Sequence, residues 1–233
     1  MINLFFGTAA DFPIGFKEPT FPAALKDLAQ RLQIPQLTVS HQVHGSDGRV
    51  VTRLSHGSKP LINFKSHDGD YLIAHESGVG IAVLTADCLP LVFYAPDKNV
   101  IAVAHAGWRG SVAGIGPEVV NRLVKEFGVN AQQLKVWFGP AGKACCYQVQ
   151  QDFVQTLEAN NKNAPESFLE KRGGEIFFDN MALNKQQLVA SGVNENNIDL
   201  TNNHCTICNQ AYHSYRRATD KTAYKTQATI AWL

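Results

Sequence analysis

The chain has 233 residues, 45% of them hydrophobic, with 21 Lys plus Arg against 20 Asp plus Glu. A net charge of +1 sets up no field of one sign, which argues against nucleic acid or an anionic membrane surface as a partner and in favour of a small molecule. The longest apolar runs fall well short of the roughly 20 residues that span a bilayer, Met1 to Gly7 lacks the form of a signal peptide, and five cysteines are an odd number for a disulfide framework, so the expectation is a soluble, cytoplasmic protein with reduced thiols.

In chain order, Thr20-Phe21-Pro22 opens a helix with a capping threonine, an early proline and an apolar stripe at Leu25, Leu28 and Leu32. Leu37 to Val43 and Arg49 to Leu54 read as two strands around the polar turn Gly45-Ser46-Asp47-Gly48, which sets His44 at a strand end. Tyr71 to Ala74, Ile81 to Ala86, Leu91 to Tyr94 and Val100 to Ala104 are short continuous apolar runs, the pattern of strands buried on both faces. Pro117 to Phe127, closed by Gly128, predicts a second helix. Further helices are expected at Gln151 to Ala159 and Met181 to Ala190, with strands at Leu134 to Phe138, Ile176 to Phe178, Ile198 to Thr201 and Thr229 to Leu233. No linker, charge block or repeat divides the chain, so 1–233 reads as a single domain. Strands and helices mix without regular βαβ alternation, which predicts the α+β class.

Chemistry concentrates at three places. Thr85-Ala86-Asp87-Cys88-Leu89-Pro90 sets a cysteine two residues before a proline, and proline in a sheet belongs at a strand start or an edge, so Cys88 is expected in a break between strands. Ala104-His105-Ala106-Gly107-Trp108-Arg109-Gly110 follows a buried strand, with Trp108 as a wall and Arg109 as an anion contact. With His44 in Gln42-Val43-His44-Gly45, Cys88 and His105 make a two-imidazole, one-thiolate set that suits an open zinc site, with copper possible in the same place. The rival reading makes Cys88 a nucleophile and His105 its base. His41 lies three residues before His44 and on a straight strand faces away from it. Arg216 and Arg217 suit a bidentate phosphate contact, although paired arginines also serve in ion pairs. Cys205-Thr206-Ile207-Cys208 has the spacing of half a zinc knuckle, yet Cys145-Cys146 is not the matching Cys-x-x-Cys, so a four-cysteine site is disfavoured.

The strings around His44, Cys88 and His105, together with Phe138-Gly139-Pro140, Cys145-Cys146-Tyr147, Cys205-Thr206 and Ser214-Tyr215-Arg216-Arg217, resemble the YfiH family, also called the multicopper polyphenol oxidase or laccase-domain family. The resemblance runs from about His41 to the C-terminus. It implies a layered fold with mixed sheets inside and helices outside. It also implies a zinc-dependent purine nucleoside enzyme that takes nucleosides and phosphate, splitting adenosine, inosine and methylthioadenosine and deaminating adenosine, with Cys88, His105 and Arg109 catalytic. Laccase-like copper oxidation and hydrolytic editing of a cell-wall precursor are alternatives that the same resemblance raises. Asp70 lines up with a recurrent acidic position that orients ligand or substrate, and Cys145, Cys146 and Cys205 fall near the pocket as lining or packing residues. The family's Thr-Thr-Arg-x-Gly-Gly opening is replaced here by Phe6-Gly7-Thr8-Ala9-Ala10, with Ala9 where the arginine stands.

Overall fold

Alternation along the central strands sends successive side chains into two different cores, and this decides the architecture. A computed structural model describes residues 1–12, 15, 17–54, 61–160 and 165–233. Its strands are β1 (Asn3–Phe6), β2 (Gln36–His41), β3 (Gly48–Val51), β4 (Leu61–Asp68), β5 (Tyr71–Ala74), β6 (Val79–Thr85), β7 (Leu89–Ala95), β8 (Val100–Ala106), β9 (Lys135–Phe138), β10 (Gln148–Val149), β11 (Leu169–Arg172), β12 (Glu175–Phe178), β13 (Ile198–Asp199) and β14 (Gln227–Trp232). The helices are α1 (Phe21–Arg31), α2 (Trp108–Val112), α3 (Ile115–Phe127), α4 (Gln151–Asn160) and α5 (Asn180–Ala190).

Two mixed sheets carry the fold, a five-stranded one in the order β1-β14-β6-β2-β4 and a six-stranded one in the order β13-β9-β7-β8-β5-β3. Leu72, Val92 and Val103 of the second meet Ile81, Val83 and Ala231 of the first in a shared inner core. The intervening residues Ile73, Phe93 and Ala102 point the other way, against Val119 and Leu123 of α3 and Leu188 of α5. On the far side Leu37, Val39, Ala82 and Ile230 pack under Phe21, Leu25 and Leu28 of α1. Strands buried on both faces must be apolar throughout, which is why they read as continuous runs. The α+β class, with mixed sheets inside and helices outside, is as expected from the sequence. Among the described residues no helix is long and apolar enough to cross a membrane.

The structure corrects several local readings. The segments flanking Gly45 to Gly48 do not form a hairpin: β2 pairs with β4 and β6, whereas β3 pairs with β5 in the other sheet. Residues 42–47 therefore cross between sheets, as do 69–70 between β4 and β5 and 86–88 between β6 and β7. Thr20 stands at the N-cap of α1 but makes no side-chain cap bond, while Gly128 closes α3 at φ +64, as its position predicts. β1, β4, β10, β11 and the short α2 escape the sequence pattern, being short, at sheet edges or of mixed polarity.

One close approach holds the β3–β5 edge. A Cβ on Gly48 would lie 2.3 Å from the Tyr71 carbonyl oxygen and 2.4 Å from its ring Cγ, and Arg122 ties the same two residues by donating to the Gly48 carbonyl at 2.7 Å and the Tyr71 hydroxyl at 3.0 Å. Gly48→Ala is expected to lower the unfolding free energy by about 1–3 kcal/mol, the usual cost of overpacking, read as a lower urea midpoint at unchanged slope. An unaltered midpoint would show that the edge is not packed this tightly.

Candidate active site

The crossings between sheets converge on one place. His44 comes from the 42–47 crossing, Asp70 from 69–70 and Cys88 from 86–88, while His105 stands near the end of β8. Ring nitrogens of His44 and His105 and the Cys88 sulfur all lie within 4.8 Å of one another. The two rings meet edge to face at 4.8 Å between centroids.

Asp70 is wholly buried and holds the arrangement together. Its Oδ1 accepts from the His44 backbone N–H at 2.9 Å and faces His105 Nδ1 at 2.8 Å, while Oδ2 accepts from the N–H groups of Val43 at 3.3 Å and Gly45 at 2.7 Å. Burial pushes its carboxyl up, but His105 and these backbone donors outweigh that and hold its pKa below the usual value. With Nδ1 occupied by Asp70, His105 presents Nε2 to Cys88 or to a metal. The residue at the crossing, His44, sits at φ +63, a left-handed conformation that a non-glycine residue adopts at a cost of about 1–3 kcal/mol. The backbone bonds to Asp70 supply what offsets it.

Burial raises the Cys88 thiol, yet the His105 and His44 rings draw it well below its ordinary value. Burial in turn disfavours the charged form of His105, and the Cys88 sulfur and Asp70 more than reverse this. Both shifts favour proton transfer from the Cys88 thiol toward the His105 ring, with Asp70 behind it. Gly107 leaves the space in front: a Cβ there would come within 3.1 Å of the His44 ring and 3.2 Å of the Cys88 sulfur. Its φ of −62 is ordinary, so glycine is required here for room, not for the close turn that the sequence suggests.

The cluster forms part of the wall of a cavity of about 640 Å³, within the usual range for a small-molecule site. Trp108, Tyr147 and Tyr215 present rings to it, and Arg109 and Arg216 present cations. Arg109 stacks on Trp108 at 4.3 Å and Arg216 on Tyr147 at 5.0 Å, and among the described residues neither has a carboxylate within salt-bridge distance. Ser40 and Thr226 also line the cavity, although their hydroxyl oxygens are turned into the protein, where they have no hydrogen-bond partner among the described residues. His41 reaches the cavity because a register shift between Val39 and His41 bends β2, although its ring pairs with Asp68 at 2.9 Å and stays out of the donor cluster.

Three expected substrate contacts fall elsewhere. Asp70 does not line the cavity and is spent on His105 and backbone N–H groups. Arg217 is drawn away by the carbonyls of Thr206 and Ile207, each at 2.8 Å, and of Tyr212. Cys146 sits instead in a cluster with Cys145, Cys205 and Cys208. Sequence reasoning passed over Asp87, held at φ +87 next to Cys88. Its carboxylate accepts from Thr206 Oγ1 at 2.6 Å, Ser214 Oγ at 3.0 Å and the Arg216 N–H at 2.7 Å, which brings the segment bearing Tyr215 and Arg216 to the cavity. Its place within the Thr85-Ala86-Asp87-Cys88 string was the available signal.

A family model described as multi-copper polyphenol oxidoreductase laccase matches residues 20–233, and the chain belongs to that family, the one to which the YfiH proteins also belong. Among curated relatives it is 33% identical over 195 residues to purine nucleoside phosphorylase YlmD of Geobacillus stearothermophilus, covering 82% of this chain and 71% of the relative. It is 34% identical over 168 residues to the purine nucleoside phosphorylase of Borreliella burgdorferi, covering 70% and 69%. The crystal structure of the Bacillus licheniformis hypothetical protein YfiH superposes with a TM-score of 0.81 at 22% identity, covering 100% of this chain and 92% of that one.

Two expectations follow from the geometry. In metal-free protein, alkylation of Cys88 should proceed with an apparent pKa below the roughly 8.5 of an ordinary thiol. Because His105 supplies the largest opposing influence, His105→Ala should move that midpoint upward; a midpoint unmoved by the substitution would disprove the pairing. Gly107→Ala should leave the unfolding free energy within about 1 kcal/mol of the parent while weakening zinc uptake at least tenfold by filling the space before the donors. Equal metal affinity in a competition titration would contradict it.

Proposed function

We propose that this chain is a zinc-dependent purine nucleoside phosphorylase that splits adenosine, inosine and methylthioadenosine with inorganic phosphate, and that it also deaminates adenosine. The observation that carries the reading is the joining of one three-donor cluster, several aromatic rings and two carboxylate-free arginines in a single cavity. The family membership and the names of the curated relatives support an enzyme of this kind.

A purine offers two flat apolar faces, which Trp108, Tyr147 or Tyr215 suit by stacking. Phosphate carries the charge that Arg109 and Arg216 lack partners for. In the phosphorolytic step a phosphate oxygen bonds to C1′ as the C1′–N9 bond breaks, and the purine departs with the bonding pair and takes up one proton. The arginines hold the phosphate in line, and exclusion of water by the ring-lined wall favours phosphate over hydrolysis.

His44, Cys88 and His105 fit zinc by donor type, spacing and the gap that Gly107 leaves open. When bound there, zinc would supply Lewis acidity in a position open to substrate or water. Asp70 fixes the His105 tautomer and ring plane so that Nε2 is the donating atom. Multi-copper oxidation does not fit this donor set. It needs several metals held largely by imidazoles, whereas the sequence contains no His-x-His, and among the described residues the other cluster of metal-ligand type is made of four cysteines. Copper in the three-donor site would reflect affinity alone.

One observation favours a second reading. Cys88, His105 and Asp70 form a line of thiolate, imidazole and buried carboxylate, the arrangement of a cysteine nucleophile with its base and orienting acid. His44 separates the two, because such a dyad has no need of it. Under the zinc reading His44→Ala and Cys88→Ser each remove the zinc held by this three-donor cluster, and phosphorolysis of inosine falls at least 100-fold in both. Full activity in His44→Ala, with Cys88 readily alkylated in the resting protein as purified, would replace the zinc reading by a cysteine hydrolase.

A further inference from the structure

The sulfurs of Cys145, Cys146, Cys205 and Cys208 all lie within 4.8 Å of one another. A tetrahedral zinc with Zn–S near 2.3 Å separates its sulfurs by about 3.8 Å, so small side-chain rotations would close the set. We infer that these four cysteines form a second metal site, a structural tetrathiolate zinc, separate in its ligands from His44, Cys88 and His105.

Along the chain, adjacent cysteines do not match a Cys-x-x-Cys, but the fold places them where they can act as a pair. Residues 143–147 make a tight turn, with the N–H groups of Cys146 and Tyr147 both donating to the Lys143 carbonyl at 2.9 and 2.8 Å, and this turn brings both neighbouring sulfurs toward the 205–208 loop. An isolated bridge between Ala141 and Cys205 fixes the two segments side by side, with Thr206 N–H donating to the Ala141 carbonyl at 3.0 Å. Backbone N–H groups of Cys208, Lys143 and Ile207 point at the Cys205 sulfur, the donor pattern of a zinc knuckle. All five cysteines are free, so none of these sulfurs is committed to a disulfide.

Leu200 to Thr226, which joins β13 of one sheet to β14 of the other, contains neither helix nor regular strand, only isolated bridges at Cys205 and Lys225. Irregular segments of this length are uncommon unless they are functional and tied down. This one carries Tyr215 and Arg216 to the cavity, and its ties to the rest of the fold include Asp87 and the 139–143 backbone, with the cysteine cluster beside them. Four thiolates select zinc over harder cations, and a bound zinc would fasten the loop to the 141–147 segment. The site is structural because all four positions come from protein, leaving none open.

The test is zinc content per chain, measured on protein purified without added metal, for the parent, His44→Ala, Cys208→Ser and Cys145→Ser. Cys208 and Cys145 are exposed, so serine there disturbs little packing. The parent should hold two zinc ions, and each cysteine variant should lose one whatever the state of the first site. His44→Ala should keep one, and sulfur-only coordination should appear in its X-ray absorption spectrum. If only the first site is misread, the parent holds one zinc that Cys208→Ser removes and His44→Ala does not. Hydrogen exchange over 200–226 should quicken at least tenfold in Cys208→Ser. The inference is overturned if His44→Ala holds no stoichiometric metal while all four thiols react freely with a thiol reagent, or if intact mass shows a disulfide among them in fresh protein.

Discussion

The buried carboxylate of Asp70 is the constraint on which the site depends. Isolated in a dry interior it would cost several kcal/mol, and it is tolerated because three backbone N–H groups and a histidine ring converge on it. In accepting them it does two things at once. It stabilises the left-handed turn that swings His44 toward the cavity, and it fixes the face that His105 shows to Cys88. Loss of such a partner from a buried pair typically costs about 3–5 kcal/mol, so stability and site geometry rest on the same group.

The site lies where it does because of how the two sheets are connected. Strands packed on both faces have few side chains to spare for chemistry, so polar function falls mainly to the segments that leave one sheet for the other. Those at 42–47, 69–70 and 86–88 deliver His44, Asp70 and Cys88 to His105 near the end of β8, and His44 and Asp87 both carry positive φ. Backbone strain gathered at a site is expected where the surrounding structure can hold it. Here it is held by two carboxylates, Asp70 on one side and Asp87 on the other.

Asp87 extends that logic to the far wall. Its main-chain neighbour is Cys88, while its carboxylate binds Thr206, Ser214 and the Arg216 N–H. The irregular segment before β14 is thereby coupled to the turn that carries Cys88 through one residue, so a change in either should be felt by the other. Arg217, facing away, serves the same end by gathering carbonyls of its own loop.

The sequence by itself determined the α+β class, the central strands and the main helices, because continuous apolar runs and helical stripes are local signals of burial. It also singled out His44, Cys88 and His105 as candidates for one site, since residue type and strand-end position are local as well. Only the tertiary structure decided that residues 42–47 cross between sheets in place of turning back, that Asp70 supports from behind in place of touching substrate, and that Arg217 faces its own loop. It also set adjacent Cys145-Cys146 against Cys205 and Cys208. Each of these turns on which distant backbone groups come within hydrogen-bond reach, and no spacing along the chain encodes that, because strand pairing and loop docking are settled by the packing of the whole.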